Sequence, residues 1–150
     1  MEIHLEGLGL SLAVLLPGLL LPLVPPRDPI PHVVAPGPVR WAERAGQASC
    51  LAVPALAASG TVVWWWGVLV SGALGSYYAL WVRYLVTGRR AASLYWWRCI
   101  PVPMAVLPVV VFLATAGWLD SAWIAAAAVV LAVGHIPVSW TTARAVRESV

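Results

Sequence analysis

The chain contains no lysine and no asparagine, and its single phenylalanine is Phe112. Charge of either sign is scarce. Only 10% of the 150 residues are charged and 61% are hydrophobic, whereas a soluble domain carries about a quarter charged residues. With a mean hydropathy of +0.86, too few polar groups remain to cover a water-facing surface, which excludes an ordinary soluble domain. Catalytic signatures are missing as well: no Gly-rich phosphate loop, no GxSxG elbow and no paired carboxylates within an apolar run. Cys50 and Cys99 form no CxxC, and no HExxH occurs, so the sequence offers no metal site. No internal repeat marks the inverted halves of many transporters. Loss of residues with A- and T-rich codons, beside abundant Ala, Gly, Pro, Arg and Val, points to a GC-rich bacterial genome.

Apolar runs are what the chain does have, several near the roughly 20 residues that cross a bilayer core. The first, 8–24, lacks the basic flank and cleavage site of a signal peptide and reads as a retained helix. The proline-dense stretch Pro25–Pro38 reads as a polar linker that cannot continue a helix. From Ala48 to Val86 the chain is too long for one crossing, since a single helix there would be about 58 Å long. Ser59-Gly60-Thr61 is the natural break. Pro101-Val102-Pro103 opens another run, with prolines in the first turn where a missing N–H costs least. Gly117-Trp118-Leu119-Asp120-Ser121 turns the chain into the last. The expected architecture is thus one all-α transmembrane domain over residues 1–150, with spans at about 8–24, 43–58, 62–85, 101–118 and 122–140. The alternative is four spans plus a re-entrant or interfacial helix at 43–58.

Arginine placement separates the two counts. With five spans, one side receives Arg27, Arg40 and Arg44, then Arg83, Arg89, Arg90 and Arg98, then Arg144 and Arg147: all nine. Four spans would split them six against three. Cytoplasmic loops carry the excess of basic residues, so five spans are expected in a bacterial inner membrane, N-terminus outside and C-terminus cytoplasmic. The pI of 9.3 then reflects topology and lipid headgroup contact, with no nucleic-acid partner. Ten tryptophans fall near the two predicted interfaces, five to each. Trp64-Trp65-Trp66 reads as part of an aromatic belt and less well as a sugar or cation platform.

Two features stand out inside the spans. Gly67, Ser71, Gly75 and Ala79 recur at intervals of four, with Gly72 and Ser76 alongside, and so form one small helix face. Such faces let helix backbones approach closely, either within this bundle or against a second copy or a larger membrane complex. His135, in Gly134-His135-Ile136-Pro137, is the one ionisable side chain well inside a predicted span, and Pro137 leaves the Val133 carbonyl without its helical partner. Buried ionisable groups are functional candidates because they are costly to bury. His135, with Tyr77, Tyr78 and Ser76, forms the candidate polar site. The competing reading is a neutral imidazole bonded to a tyrosine or backbone carbonyl that locks the bundle. A metal site would need Cys50, Cys99 and His135 to converge from three helices. Glu43 and Arg83 are expected at the same boundary, as an interfacial ion pair, and His4 and His32 in solvated flanks.

Tyr77-Tyr78-Ala79-Leu80-Trp81-Val82-Arg83-Tyr84 with Gly88-Arg89, then Ile100-Pro101-Val102-Pro103-Met104 and Gly134-His135-Ile136-Pro137-Val138-Ser139, resemble a group of uncharacterised small bacterial multispanning membrane proteins. Glu43-Arg44 with Gly46-Gln47 is similar too. The resemblance spans about the C-terminal half and implies a helical membrane fold and no particular activity. The leading expectation is a non-enzymatic accessory or scaffold subunit, without cofactor or catalytic residues, acting through its helix faces. A small transporter or channel subunit with a path past His135 is the alternative, and a lipid-modifying enzyme the third.

Overall fold

In the computed structural model, which describes residues 4–28, 30–57, 60–97 and 100–148, the apolar runs become helices. They are α1 (Leu5–Gly18), α2 (Leu20–Leu23), α3 (Gly37–Leu56), α4 (Trp65–Val86), α5 (Ala92–Tyr95), α6 (Pro103–Trp118) and α7 (Ala122–Glu148). A two-residue antiparallel ladder, β1 (Trp96–Trp97) with β2 (Ile100–Pro101), pairs Trp96 with Pro101 and Trp97 with Ile100. The fold is therefore mostly helical. Two stretches are long and apolar enough to cross a membrane: Leu5–Leu23 and Ala122–Glu148. The α6 helix is equally apolar but has only 16 residues. The α3 helix carries Arg40, Glu43 and Arg44 in its first half, and Trp, Tyr, Gly and Ser dilute the hydropathy of α4.

Several boundaries differ from the sequence expectation, each for a local reason. The second helix begins at Gly37 and not near Glu43, because Pro36 and Pro38 start it instead of ending the linker. Proline is well placed in a first turn, where its fixed φ suits the helix and its N–H would be unpaired anyway. Arg40 and Arg44 are therefore helical. The first run breaks at Leu19, just after Pro17, so α2 is a separate turn. The last helix runs straight through Pro137 to Glu148, eight residues beyond the expected end. The expected break at 59–61 does occur: α3 ends at Leu56 and α4 starts at Trp65, although Ser59 lies outside the described residues.

The rods alternate in direction. Gly7 faces Pro54, and the Ser11 hydroxyl reaches the Cys50 carbonyl at 2.9 Å, so α1 and α3 are antiparallel. Gly46 faces Leu131 and Gly134 faces Glu43, so α3 and α7 are antiparallel, across the most extensive interface of the fold. Trp66 covers Gly117, and the Val63 N–H reaches the Trp118 carbonyl at 3.0 Å, which sets α4 against α6. Tyr78 and Tyr84 donate to the carbonyls of Ala13 and Val24, at 2.9 and 2.7 Å, keeping α4 parallel to α1. As a result every described arginine lies at one end of the bundle. There the Arg27 N–H bonds the Arg89 carbonyl at 3.0 Å and Arg83 donates to the Trp96 carbonyl at 2.8 Å, while Arg147 lies over the Trp96 ring. The chain passes into α6 through Val102 in the left-handed region, φ 49°, an unusual conformation for a β-branched residue.

Three glycines set the spacing. A Cβ on Gly7 would overlap the Pro54 carbonyl, one on Gly46 the Leu131 backbone, and one on Gly134 the backbone of Glu43. All three contacts fall on α3, which is held between α1 and α7. Close approach thus occurs at Gly7, Gly46 and Gly134, and not at the face expected to pack. Ser71, Gly75 and Ala79 on α4 are exposed, a Cβ on Gly72 or Gly75 would meet nothing, and only Gly67 lies near another chain segment, at Trp118.

Candidate functional site

Tight packing of α3 on α7 brings Glu43 to His135, 92 residues away in sequence. Imidazole Nδ1 and carboxylate Oε1 are 2.7 Å apart, each side chain less than one-fifth exposed. An ionised carboxylate can only accept, so Nδ1 carries the hydrogen and Nε2 is left to interact elsewhere. Neither expectation for these residues holds. The partner of His135 is a carboxylate, not a tyrosine or a backbone carbonyl, and Glu43 pairs with His135 while Arg83 bonds the Trp96 carbonyl. Behind the pair, Tyr95 is buried. Burial, and secondarily the Glu43 charge, push its phenol up to about 12.

His135 also borders a cavity of about 300 Å³ at the centre of the bundle. All five long helices line it: Leu15 and Gly18 from α1, Gln47 and Cys50 from α3, Tyr77 and Trp81 from α4, Phe112 from α6, and Leu131 and His135 from α7. Two of the four expected polar-site residues, His135 and Tyr77, meet here. Tyr78 and Ser76 do not line it: the Tyr78 hydroxyl is spent on the Ala13 carbonyl and Ser76 bonds back to Gly72. A transmembrane path through all four therefore does not form among the described residues.

Trp81 was expected at the interface and is instead 2% exposed, in the core. Its ring meets Tyr77 and Tyr84 edge-on, with centroids 6.2 and 5.8 Å away, and its buried indole N–H makes no hydrogen bond of regular geometry. Leaving a buried donor unpaired costs about 1–3 kcal/mol. Trp64, Trp65 and Trp123 are exposed at one end of the bundle and Trp41 at the other. Cys50 is a buried free thiol, Cys99 lies outside the described residues, and among the described residues no three His, Cys, Asp or Glu side chains gather.

Comparison with protein-family models, curated proteins and solved structures found no match. What the chain can do must therefore be argued from its own surfaces and cavity. The sequence singled out His135 and Tyr77, gave Glu43 a different partner, and missed Gln47 and Trp81. A signal for Glu43 was available: buried ionisable residues in membrane helices pair with one another, and Glu43 was the one carboxylate inside a predicted span. No periodicity could reveal that Trp81 turns inward.

Proposed function

We propose that this chain is a five-span protein of a bacterial cytoplasmic membrane, N-terminus outside and C-terminus inside, acting as a non-enzymatic accessory or scaffold subunit that offers α4 to a neighbour. The observation that carries this reading is the uncovered small face of α4, with open space at Gly72 and Gly75 and exposed Ser71 and Ala79. The setting is apolar on several sides. Leu12 and Leu16 on α1, Val68, Leu69 and Val82 on α4, and Val129 and Val133 on α7 are all exposed. Soluble monomers rarely leave such patches open to water, whereas a bilayer solvates them. Arginines at one end only support the orientation. In lipid, helices associate through close packing of small residues rather than through hydrophobic burial, and α4 presents that surface with nothing among the described residues upon it at Gly72 or Gly75.

The test is Gly75→Leu in a lipid nanodisc or mild detergent. Because nothing among the described residues lies against a Cβ at Gly75, the melting temperature should hold while the mass of the native particle falls. A particle of unchanged mass refutes the use of this face for assembly. A lowered melting temperature would mean that α4 packs within its own bundle after all.

A further inference from the structure

The central cavity has a chemical character that helix packing alone does not explain. Its wall is mostly apolar, yet it carries four polar groups: the Gln47 amide, the Tyr77 hydroxyl, the Trp81 indole and the His135 imidazole. Three of these can donate without any change of protonation. Trp81 can only donate, and its buried N–H makes no hydrogen bond of regular geometry, with the Tyr77 hydroxyl beside it. Nδ1 of His135 is engaged by Glu43, which fixes the ring and leaves Nε2 free. Tyr77 is 5% exposed, and its hydroxyl lies beside the Trp81 indole, which can donate to the phenol oxygen and leaves the Tyr77 O–H to donate onward. The walls supply a wish for acceptors.

Charge narrows the class further. An anionic head would sit beside the Glu43 carboxylate, one imidazole away, with no described arginine on the cavity wall. A cationic head would seek a carboxylate, and Glu43 is not on the wall. A neutral acceptor meets neither obstacle. Shape points the same way. Tyr77, Trp81 and Phe112 make one side aromatic, with Tyr77 and Trp81 at 87° to each other, a geometry that takes a flat ring edge-on or stacked. The volume lies at the small end of ligand pockets, enough for one ring system. Access is by way of α1, where a Cβ on Gly18 would meet nothing and Leu15 and Leu19 are exposed.

We infer that this cavity binds an uncharged, membrane-soluble ring compound bearing carbonyl oxygens, the chemistry of a quinone head group, with Trp81 and Tyr77 donating to its oxygens and the His135 ring, fixed by Glu43, forming part of the wall. The inference goes beyond the subunit reading and shares with it only the apolar surroundings from which such a ligand would enter.

Calorimetric titration of the purified full chain in detergent with 1,4-naphthoquinone, against naphthalene as the ring without carbonyls, tests it. Saturable one-site binding of the quinone is expected, with naphthalene at least about tenfold weaker, as two lost hydrogen bonds of about 1 kcal/mol each imply. Trp81→Phe and Tyr77→Phe should each weaken the quinone by about three- to tenfold. Gly18→Phe should fill the mouth and abolish binding with an unchanged melting temperature, which separates a blocked site from a damaged fold. Equal affinity for naphthalene, quinone binding that survives Gly18→Phe, or no saturable binding at all would each overturn the assignment. None of these readouts depends on the number of spans or on assembly through α4, so failure here leaves those readings standing, and the reverse holds too.

Discussion

Replacing Gly134 with alanine adds one carbon at the point where α7 lies on α3. That carbon would overlap the amide nitrogen and Cα of Glu43 and the carbonyl carbon of Ala42, all backbone atoms that no rotamer change can move. The helices must therefore part. Overpacking a well-fitted interior costs about 1–3 kcal/mol, and a rigid backbone neighbour puts this site at the upper end. Alanine returns about 0.5–1 kcal/mol because it loses less freedom than glycine on entering a helix. The net expectation is a loss of about 2 kcal/mol. Gly75→Ala, whose new carbon meets nothing, keeps only the gain. The two substitutions are chemically identical, so opposite signs isolate the packing term. Thermal or denaturant unfolding in detergent, followed by tryptophan fluorescence, gives the comparison. Parting α3 from α7 also stretches the 2.7 Å contact between His135 and Glu43. Gly134→Ala and Glu43→Gln should then be less than additive, since the first already weakens what the second removes. If Gly134→Ala is as stable as Gly75→Ala, the close approach of α3 and α7 is wrong, and with it the geometry of the pair.

Reporters fused before Met1 and after Val150 should read external and cytoplasmic respectively; agreement between the two would refute an odd number of spans. His135→Leu should destabilise the fold by about 1–3 kcal/mol, because the Glu43 carboxylate loses its donor, whereas His135→Gln, which can still donate, should cost less. A Leu variant melting with the parent would show that the pair locks nothing. Tyr95 gives a pH signature. Its buried phenol ionises near 12 in the fold and near 10 in the unfolded chain, so its contribution is intact below pH 10 and is lost as pH rises toward 12. With no lysine to titrate across that range, Tyr95→Phe should flatten the alkaline fall in melting temperature, and an unchanged slope would mean that the ring is not sequestered.

Helices were legible wherever composition acted over many residues. The apolar runs, the break after Leu56 and the turn at Asp120 follow from hydropathy and small polar residues. Proline was read with the wrong sign in the linker, where Pro36 and Pro38 start α3; Pro137 lies inside α7 as it lay inside the expected span, because a proline interrupts a helix only when its neighbours cannot absorb the missing bond. The small face of α4 was visible, but small residues permit contact without choosing a partner, so the sequence could not say that Gly7, Gly46 and Gly134 would be the ones covered. Of the candidate site, His135 was evident from the cost of burying it. Glu43 and Trp81 depend on how distant helices are rotated about their axes, and local pattern holds no record of that.

The placement of α3 has a consequence for biosynthesis. Its first half carries Arg40, Glu43 and Arg44, with Gln47 just beyond, and the surface that covers Gly46 and Glu43 belongs to α7, nearly ninety residues downstream. While a ribosome is still making the intervening segments, the described helices already present are α1 and the short α2, and α1 grips the opposite end of α3, at Cys50 and Pro54. The polar half must wait uncovered until the last helix emerges. A nascent chain stopped before α7 would display that half, so the third helix rather than the last carries the sign of an unfinished fold.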